Sequence, residues 1–306
     1  MSAAIPVVIC DDSRLARTQM ARALEGWNVE INFAEHGFDA LEAIRSGVAD
    51  LLFLDLNMPI MDGYEVLERI RRDDLPVMVI VVSGDIQPEA RERVMAMGAL
   101  DFIKKPTSPE IVAEVLNRFG LLSEIEHPLE STSEVLPDLP DYYQEIANVA
   151  MGRAGDLLAR LLNVFVRLPI PEVGFFSPDE LDFRLHHAAE QRYQTVSQGF
   201  IGHGIAGEAL LMFRESSFEA LARLLGVEYT EEQNTQTELL MEVANTLIGA
   251  FLSSFEQQLD ISFSRASPVV LDLFDNDEIK PAIEQRTMAI NIHYSIQDYD
   301  IQCDLM

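Results

Sequence analysis

The chain has 306 residues, of which 48% are hydrophobic and 24% charged, as in globular proteins long enough for two cores. A formal net charge of −29, most of it after residue 123, argues against nucleic acid as a partner. No apolar run approaches the ~20 residues of a membrane span, and the first residues do not resemble a signal peptide. The cysteines, Cys10 and Cys303, lack metal-ligand spacing. We therefore expect a cytoplasmic protein that binds neither membrane nor nucleic acid.

Short apolar segments alternate with helical patterns through residues 1–122. The predicted strands are Pro6–Cys10, Val29–Ala34, Leu51–Leu54, Val77–Val82 and Asp101–Ile103. The predicted helices are Arg14–Leu24, Phe38–Ile44, Tyr64–Arg72, Pro88–Met97 and Pro109–Arg118. This alternation predicts an α/β domain with a doubly wound, five-stranded parallel sheet of the flavodoxin-like type.

Polar residues follow four of these strands where each strand ends. They are Asp11 and Asp12, then Asp55, Ser83 and Lys105. Because the carboxyl ends of parallel strands share one edge, we expect these side chains to meet. Three carboxylates together need a cation, and Mg²⁺ prefers oxygen ligands while leaving room for a phosphate.

The same set of residues suggests a role for each side chain. Lys105 supplies a positive charge for phosphate oxygens, and the Ser83 hydroxyl can donate a hydrogen bond to them. Asp55 is then available as a nucleophile that becomes an aspartyl phosphate. Taken alone, Asp55 is equally well explained as an ordinary strand-end residue, so the prediction depends on the whole set.

These motifs resemble the receiver domain of two-component response regulators. The resemblance covers about residues 3–122 and includes the acidic pair, the segment DLNMPIMDG around Asp55, the SG at Ser83 and the KKP that contains Lys105. It implies phosphorylation of Asp55 by a sensor histidine kinase. It also implies Mg²⁺ held by Asp11, Asp12, Asp55 and the backbone carbonyl of Asn57. Phe102 occupies the family's switch-aromatic position, although a core aromatic explains it too.

Residues 123–137 form a polar, acidic segment with two prolines and no clear periodicity. Such a composition predicts a flexible linker. We therefore expect three parts: a receiver-like domain over residues 1–122, this linker, and a second domain over residues 138–306.

The second domain contains an internal repeat. Glu145-x-x-Asn148 recurs as Glu242-x-x-Asn245 at an offset of 97 residues (242 − 145), and a Gly and a Pro follow both copies at matched positions. Glu and Asn three apart share one helix face, whereas apolar residues such as Leu157 fall on the predicted core-facing side. A single copy would be explained as an ordinary solvated helix face. Two matched copies indicate a site and a pseudo-two-fold pair of half-domains.

The repeats resemble the CheC/CheX/FliY phosphatases of bacterial chemotaxis, over about residues 138–306. Each copy has the family's preceding polar residue, Asp141 in the first and, as a mild departure, Glu238 in the second. The segment Gly202–Gly226 is similar to the family's strand-turn-strand-helix centre. We expect an α+β domain that closes with a hairpin, Thr287–Ser295 and Tyr299–Leu305.

This resemblance implies hydrolysis of the aspartyl phosphate on a CheY-like phosphorylated receiver. Asn148 and Asn245 would each orient the attacking water, while Glu145 and Glu242 pair with the receiver's lysine. We expect phosphorylation of Asp55 to regulate this output, which then acts on a separate receiver. Two alternatives stay open: a non-catalytic docking module for a receiver or motor component, and a timer that dephosphorylates itself.

Overall fold

The computed structural model describes residues 4–121, 139–181, 183–184, 193–229, 233–271, 287–296, 299 and 301–306. The chain divides into two compact units, Met1–Glu145 and Ile146–Met306. The predicted linker over residues 123–137 lies outside the described residues.

The first unit is the predicted parallel sheet with its helices. Its strands are β1 (Ile5–Cys10), β2 (Val29–Ala34), β3 (Leu51–Leu54), β4 (Met78–Ser83) and β5 (Asp101–Lys104). The helices are α1 (Arg14–Ala23), α2 (Gly37–Arg45), α3 (Gly63–Arg72), α4 (Pro88–Ala96) and α5 (Pro109–Arg118). The strand order is β2-β1-β3-β4-β5, with every neighbouring pair parallel. The flavodoxin-like prediction is confirmed.

Alternate side chains of each central strand enter two separate core layers. In β1, Val8 belongs to one buried cluster and Val7 to the other, and in β3 Leu52 and Leu51 divide in the same way. A parallel sheet with helices on both faces buries both sides of its strands, which explains their continuous apolar runs. The strand ends are thereby held rigidly where the polar residues emerge.

The elements after residue 138 are helices and a largely antiparallel sheet. The helices are α6 (Leu139–Leu162), α7 (Phe218–Leu225) and α8 (Gln233–Leu259). The strands are β6 (Val166–Arg167), β7 (Glu172–Phe176), β8 (Tyr193–Gly202), β9 (Ile205–Arg214), β10 (Ser264–Arg265), β11 (Val269–Leu271), β12 (Thr287–Ile296) and β13 (Ile301–Leu305). The sheet order is β10-β8-β9-β13-β12-β6, with β11 beside β8 and β7 beside β12.

Two hairpins are present, and the second is the predicted closing hairpin. Strands β8 and β9 join through His203 and Gly204, both with positive φ, and a helix follows them. Strands β12 and β13 pair antiparallel up to Ile296 and Ile301. The sequence did not reveal β6, β7, β10 and β11, because strands of two to five residues carry little periodicity.

The predicted core face of α6 is wrong in its second half. Leu157 was expected in the core but is 45% exposed, whereas Leu158 and Leu162 are buried. The buried stripe there follows Met151, Ala154, Leu158 and Leu162, the three- and four-residue spacing of an amphipathic helix.

Within α8, residues Thr235–Leu259 are apolar and long enough, by length and composition alone, to cross a membrane. The most apolar stretch of 18 residues in this segment is 50% buried inside the protein. Helix α8 contacts β8 and β9. Burial of one helix face against a sheet is typical of a core helix.

We expect Leu52→Ala to destabilise the first unit. Leu52 is fully buried in β3, so its truncation leaves a cavity that lowers the free energy of unfolding by about 2–5 kcal/mol. Trp27, the only tryptophan, packs on the first unit's core, so its fluorescence during urea unfolding reports this unit. Ile111→Ala, at an exposed position of α5, is the control. Equal midpoints for both variants would contradict the assigned core.

Candidate functional site

The acidic pair follows β1 and is fixed by the start of α1. Ser13 caps α1, because its Oγ accepts a hydrogen bond from the Ala16 amide at 3.2 Å. The Ser13 amide in turn donates to Asp11 Oδ1 at 2.9 Å. Asp11 is buried as a result, and Asp12 is half-buried beside it.

Asp55 lies at the end of the central strand and is 2% exposed. Its amide donates to the Cys10 carbonyl at 2.9 Å, which holds it next to the acidic pair. The backbone of Gly63 lies against the backbone of Asp55. A Cβ on residue 63 would lie 2.3 Å from the Asp55 carbonyl oxygen, so only glycine fits at this position. Asn57, whose carbonyl is the predicted fourth ligand, lies half-buried in the loop that follows Asp55.

Lys105 reaches this cluster from the end of β5. Its Nζ lies 2.7 Å from Asp11 Oδ2 and 3.5 Å from Asp55 Oδ2. The Lys105 amide donates to the Ser83 carbonyl at 2.9 Å, which places Ser83 at the same edge. The buried Ser83 Oγ accepts a hydrogen bond from the Asp85 amide at 3.1 Å. Phe102 is buried in the core, and its predicted switch role stays a prediction.

The acidic cluster has the composition and spacing of a divalent cation site. One ligand oxygen from each of Asp11, Asp12 and Asp55 lies within 4.8 Å of the others. Asp12 Oδ1 is buried and has no hydrogen-bond partner among the described residues. Three hard oxygen donors and an unpaired carboxylate oxygen fit Mg²⁺, as the sequence predicts.

Burial and mutual repulsion perturb the charges of this cluster. Burial, with the nearby Asp11 carboxylate, raises the pKa of Asp12 to about 7. The pKa of Asp55 is also raised, chiefly by burial, and Lys105 opposes this shift. Burial alone would lower the pKa of Lys105, but Asp11, Asp55 and Glu145 outweigh it and hold that pKa well above its usual value. Lys105 therefore stays positively charged.

Sequence reasoning missed Arg17, which is buried and orients the acidic pair. Its Nη1 donates to the carbonyl of Asp11 at 2.7 Å and to that of Asp12 at 3.2 Å. Its Nη2 forms an ion pair with Glu35 at 2.8 Å. The sequence held one signal for Arg17: it is a basic residue early in a helix that follows an acidic pair.

The two copies of the Glu/Asn motif differ in burial. Glu145, the last residue of the first unit, is buried with its Oε1 3.4 Å from Lys105 Nζ. Asn148 is also buried, and its amide has no hydrogen-bond partner among the described residues. Glu242 and Asn245 are exposed on α8. A Cβ on Gly249, the glycine after the second motif, would meet nothing within 4 Å.

A small cavity of about 20 Å³ adjoins the site. Asp55, Lys105, Thr107 and Glu145 are among its lining residues. A volume of this size holds about one water molecule, and the polar lining can bind it.

Comparison with known proteins places the similarity mainly in the first unit. Residues 7–117 match the response regulator receiver domain family. The two-component response regulator ORR41 of Oryza sativa subsp. japonica is 33% identical over 38% of this chain and 95% of its own length. The cyclic di-GMP phosphodiesterase response regulator RpfG of Xanthomonas campestris pv. campestris is 32% identical over 51% of this chain and 41% of its own length.

Further similar proteins show the same partial coverage. A protein-glutamate methylesterase/protein-glutamine glutaminase of Geobacillus kaustophilus is 40% identical over 34% of this chain and 31% of its own length. This chain thus spans less than half the length of these longer relatives. The solved structure of the Vibrio cholerae chemotaxis protein CheY4 is 26% identical in sequence to this chain. The match covers 38% of this chain and 98% of the CheY4 chain, with a TM-score of 0.35.

We expect acetyl phosphate with Mg²⁺ to add a single phosphoryl group to the protein, and Asp55→Asn to prevent it. An amide cannot form the acyl phosphate, although it fills the same space. Intact-protein mass spectrometry measures the addition. Asp50→Asn, at an exposed position just before β3, is the matched control and keeps full labelling. Labelling of the Asp55→Asn variant would exclude Asp55 as the acceptor.

We expect Mg²⁺ to bind roughly tenfold more tightly at pH 8 than at pH 6, because the ion displaces a proton from a carboxyl group whose pKa is about 7. Without metal, the folded state keeps this proton at pH values where the unfolded chain has released it. The contribution of the Asp12 carboxyl group to the free energy of unfolding therefore falls as pH rises from about 4 to about 7. Calorimetric titration measures the affinity. Asp12→Asn weakens binding and flattens the pH dependence, and an equally steep dependence in that variant would contradict the assignment.

Proposed function

Because the chain belongs to the two-component response regulator family, through the receiver domain at its N-terminus, we propose that residues 138–306 are its output domain and hydrolyse the aspartyl phosphate of a receiver. In this proposal the domain is a phosphatase of the CheC type with two Glu/Asn sites. A sensor histidine kinase phosphorylates Asp55, in the cytoplasm.

The observation that carries the proposal is the repeated Glu/Asn motif. Glu145 and Asn148 on α6 recur as Glu242 and Asn245 on α8, at an offset of 97 residues (242 − 145). Glu and Asn three residues apart lie on one face of a helix, so each copy presents a carboxylate and an amide together. Two matched copies support a functional site over an ordinary solvated helix face.

The proposed chemistry needs positioning more than reactive groups. An Asn amide can donate to and accept from a water molecule, and so can hold it in line with the phosphorus–oxygen bond. On the receiver, Mg²⁺ would neutralise charge on the phosphoryl oxygens, as it would in this chain if bound at Asp11, Asp12 and Asp55. The receiver's lysine would hold the same oxygens, and the Glu carboxylate would orient that lysine.

A docking function is the second candidate. The exposed Glu242 and Asn245 offer an acidic and a polar group on one face of α8, which can bind the lysine edge of a receiver without catalysis. The two candidate functions predict different effects of removing the Asn amides. Docking continues without the amides, whereas hydrolysis is lost.

We expect the double change Asn148→Ala and Asn245→Ala to reduce trans dephosphorylation of a single-domain CheY-like phosphoprotein to its spontaneous rate. Removing the amides leaves the water unpositioned, while either single change leaves partial activity from the other copy. Loss of radiolabelled phosphate over time gives the rate.

The matched control for this test is Asn117→Ala, an exposed Asn of α5. We expect it to retain the wild-type rate. Wild-type hydrolysis by the double variant would reject the phosphatase and leave the docking module.

A further inference from the structure

The second Glu/Asn copy begins an accessible stripe along α8. Glu242, Asn245 and Ser253 are exposed, and Gly249 between them is half-buried. Their spacing of three and four residues places all four on one face of the helix. A carboxylate, an amide and two small residues therefore follow one another along a surface that a partner protein can reach.

A neighbouring strand places a positive charge at the other end of this stripe. Arg265 of β10 donates from Nη1 to the Gly249 carbonyl at 3.2 Å and from Nη2 to Ser253 Oγ at 3.0 Å. Its Nη2 also pairs with Glu256 Oε2. Helix α8 contains three glutamates and no Lys or Arg, so this guanidinium adds a charge that the helix itself lacks.

The contacts of Arg265 orient its guanidinium without using all of its donors. A guanidinium has five N–H groups, and the hydrogen bonds to Gly249, Ser253 and Glu256 use three of them among the described residues. The side chain is 25% exposed, which gives a partner access to it. Glu256 is itself fixed, because its Oε1 accepts a hydrogen bond from the Phe263 amide at 2.6 Å. Arg265 is therefore held as an oriented cation with donors to spare.

The chemistry of a receiver's phosphorylation edge explains the need for such a cation. In the first unit of this chain that edge carries Asp11, Asp12 and Asp55 around Lys105, and a phosphoryl group adds further negative charge. A glutamate on the docking surface can pair with the lysine of such an edge, but it repels the carboxylates. The planar fork of an arginine matches the oxygens of carboxylate and phosphoryl groups.

We propose that Arg265 is a third binding residue of the second Glu/Asn site and holds the oxyanions at the acidic edge of a phosphorylated receiver. This inference rests on the proposed phosphatase function and adds a residue to its recognition of the partner. Glu242 takes the partner's lysine, and Arg265 contacts α8 seven residues further on, about 10 Å along the helix axis. Asn245 lies between these two charges, so contacts on both sides fix where its amide meets the partner.

A purely structural Arg265 would only fasten β10 to α8. That role predicts a lower melting temperature when Arg265 is changed, with no change in how salt affects binding of a partner. A binding role predicts weaker affinity for an acidic partner. It also predicts a smaller effect of salt in the variant, because salt screens the attraction between exposed charges and one such attraction has been removed.

The test titrates the full chain with a single-domain CheY-like receiver that carries Mg²⁺ and beryllofluoride, a stand-in for the phosphoryl group, at low and high salt. We expect Arg265→Gln to raise the Kd at least tenfold at low salt and to reduce its salt dependence. Arg265→Lys raises the Kd less, because it keeps the charge and loses the fork. The matched control is Arg184→Gln, which removes an arginine paired with Glu172 of β7 and keeps the wild-type Kd.

Hydrolysis provides a second readout. In a full chain that also carries Asn148→Ala, so that activity comes from the second copy, we expect Arg265→Gln to raise KM for the CheY-like phosphoprotein about tenfold. The kcat stays within about twofold, because the Asn245 amide is intact. Titration of the receiver without beryllofluoride identifies the oxyanion: a loss of affinity confined to the loaded form assigns it to the phosphoryl group, and an equal loss in both forms assigns it to the carboxylates.

A second variant covers the case in which Arg265→Gln does not fold. Glu256→Gln removes the carboxylate that competes with the partner for Arg265, so we expect it to lower the Kd about threefold. A Kd equal to or higher than that of the wild type in this variant would overturn the inference, as would a wild-type Kd in a folded Arg265→Gln chain.

Failure of the inference is distinguishable from failure of the proposed function. If Arg265→Gln leaves the Kd and KM unchanged while loss of both Asn amides still abolishes hydrolysis, only the role of Arg265 is rejected. If the wild-type chain neither binds nor dephosphorylates the receiver, the proposed function is rejected and the inference with it.

Discussion

The buried Lys105 ammonium is the constraint on which the site depends. Its Nζ lies 2.7 Å from Asp11 Oδ2, 3.5 Å from Asp55 Oδ2 and 3.4 Å from Glu145 Oε1. These three carboxylates therefore share one positive charge. Without it, burial and mutual repulsion would protonate or expel some of them. The rigid ends of parallel strands keep this lysine and these carboxylates close, because each strand is anchored in two core layers.

A phosphoryl group changes this balance by adding charge where the cluster already has an excess. The lysine can serve phosphate oxygens only by sharing its donors differently among Asp11, Asp55 and Glu145.

The two Glu/Asn motifs show how one local pattern can acquire two environments. Both occupy long helices, α6 and α8, and both follow the same three-residue spacing. The first is buried, with Glu145 paired to Lys105, whereas the second is exposed. A repeated sequence thus supplies the same chemical groups twice, in two different surroundings.

The sequence by itself determined the first unit and most of its site. Alternating apolar strands and helices predict the parallel sheet, and its topology brings Asp11, Asp55 and Lys105 to one edge because the carboxyl ends of parallel strands coincide. The closing hairpin of β12 and β13 was also predicted from the sequence.

Only the tertiary structure decided the rest. Arg17 belongs to the site because its side chain donates hydrogen bonds to the carbonyl groups of Asp11 and Asp12, contacts that no local sequence pattern contains. Leu157 is exposed because the core stripe of α6 shifts along its length. Glu145 and Glu242 share the Glu-x-x-Asn spacing, and they differ in exposure because burial depends on packing and not on that spacing. Helical periodicity defines a face, but packing decides what that face meets.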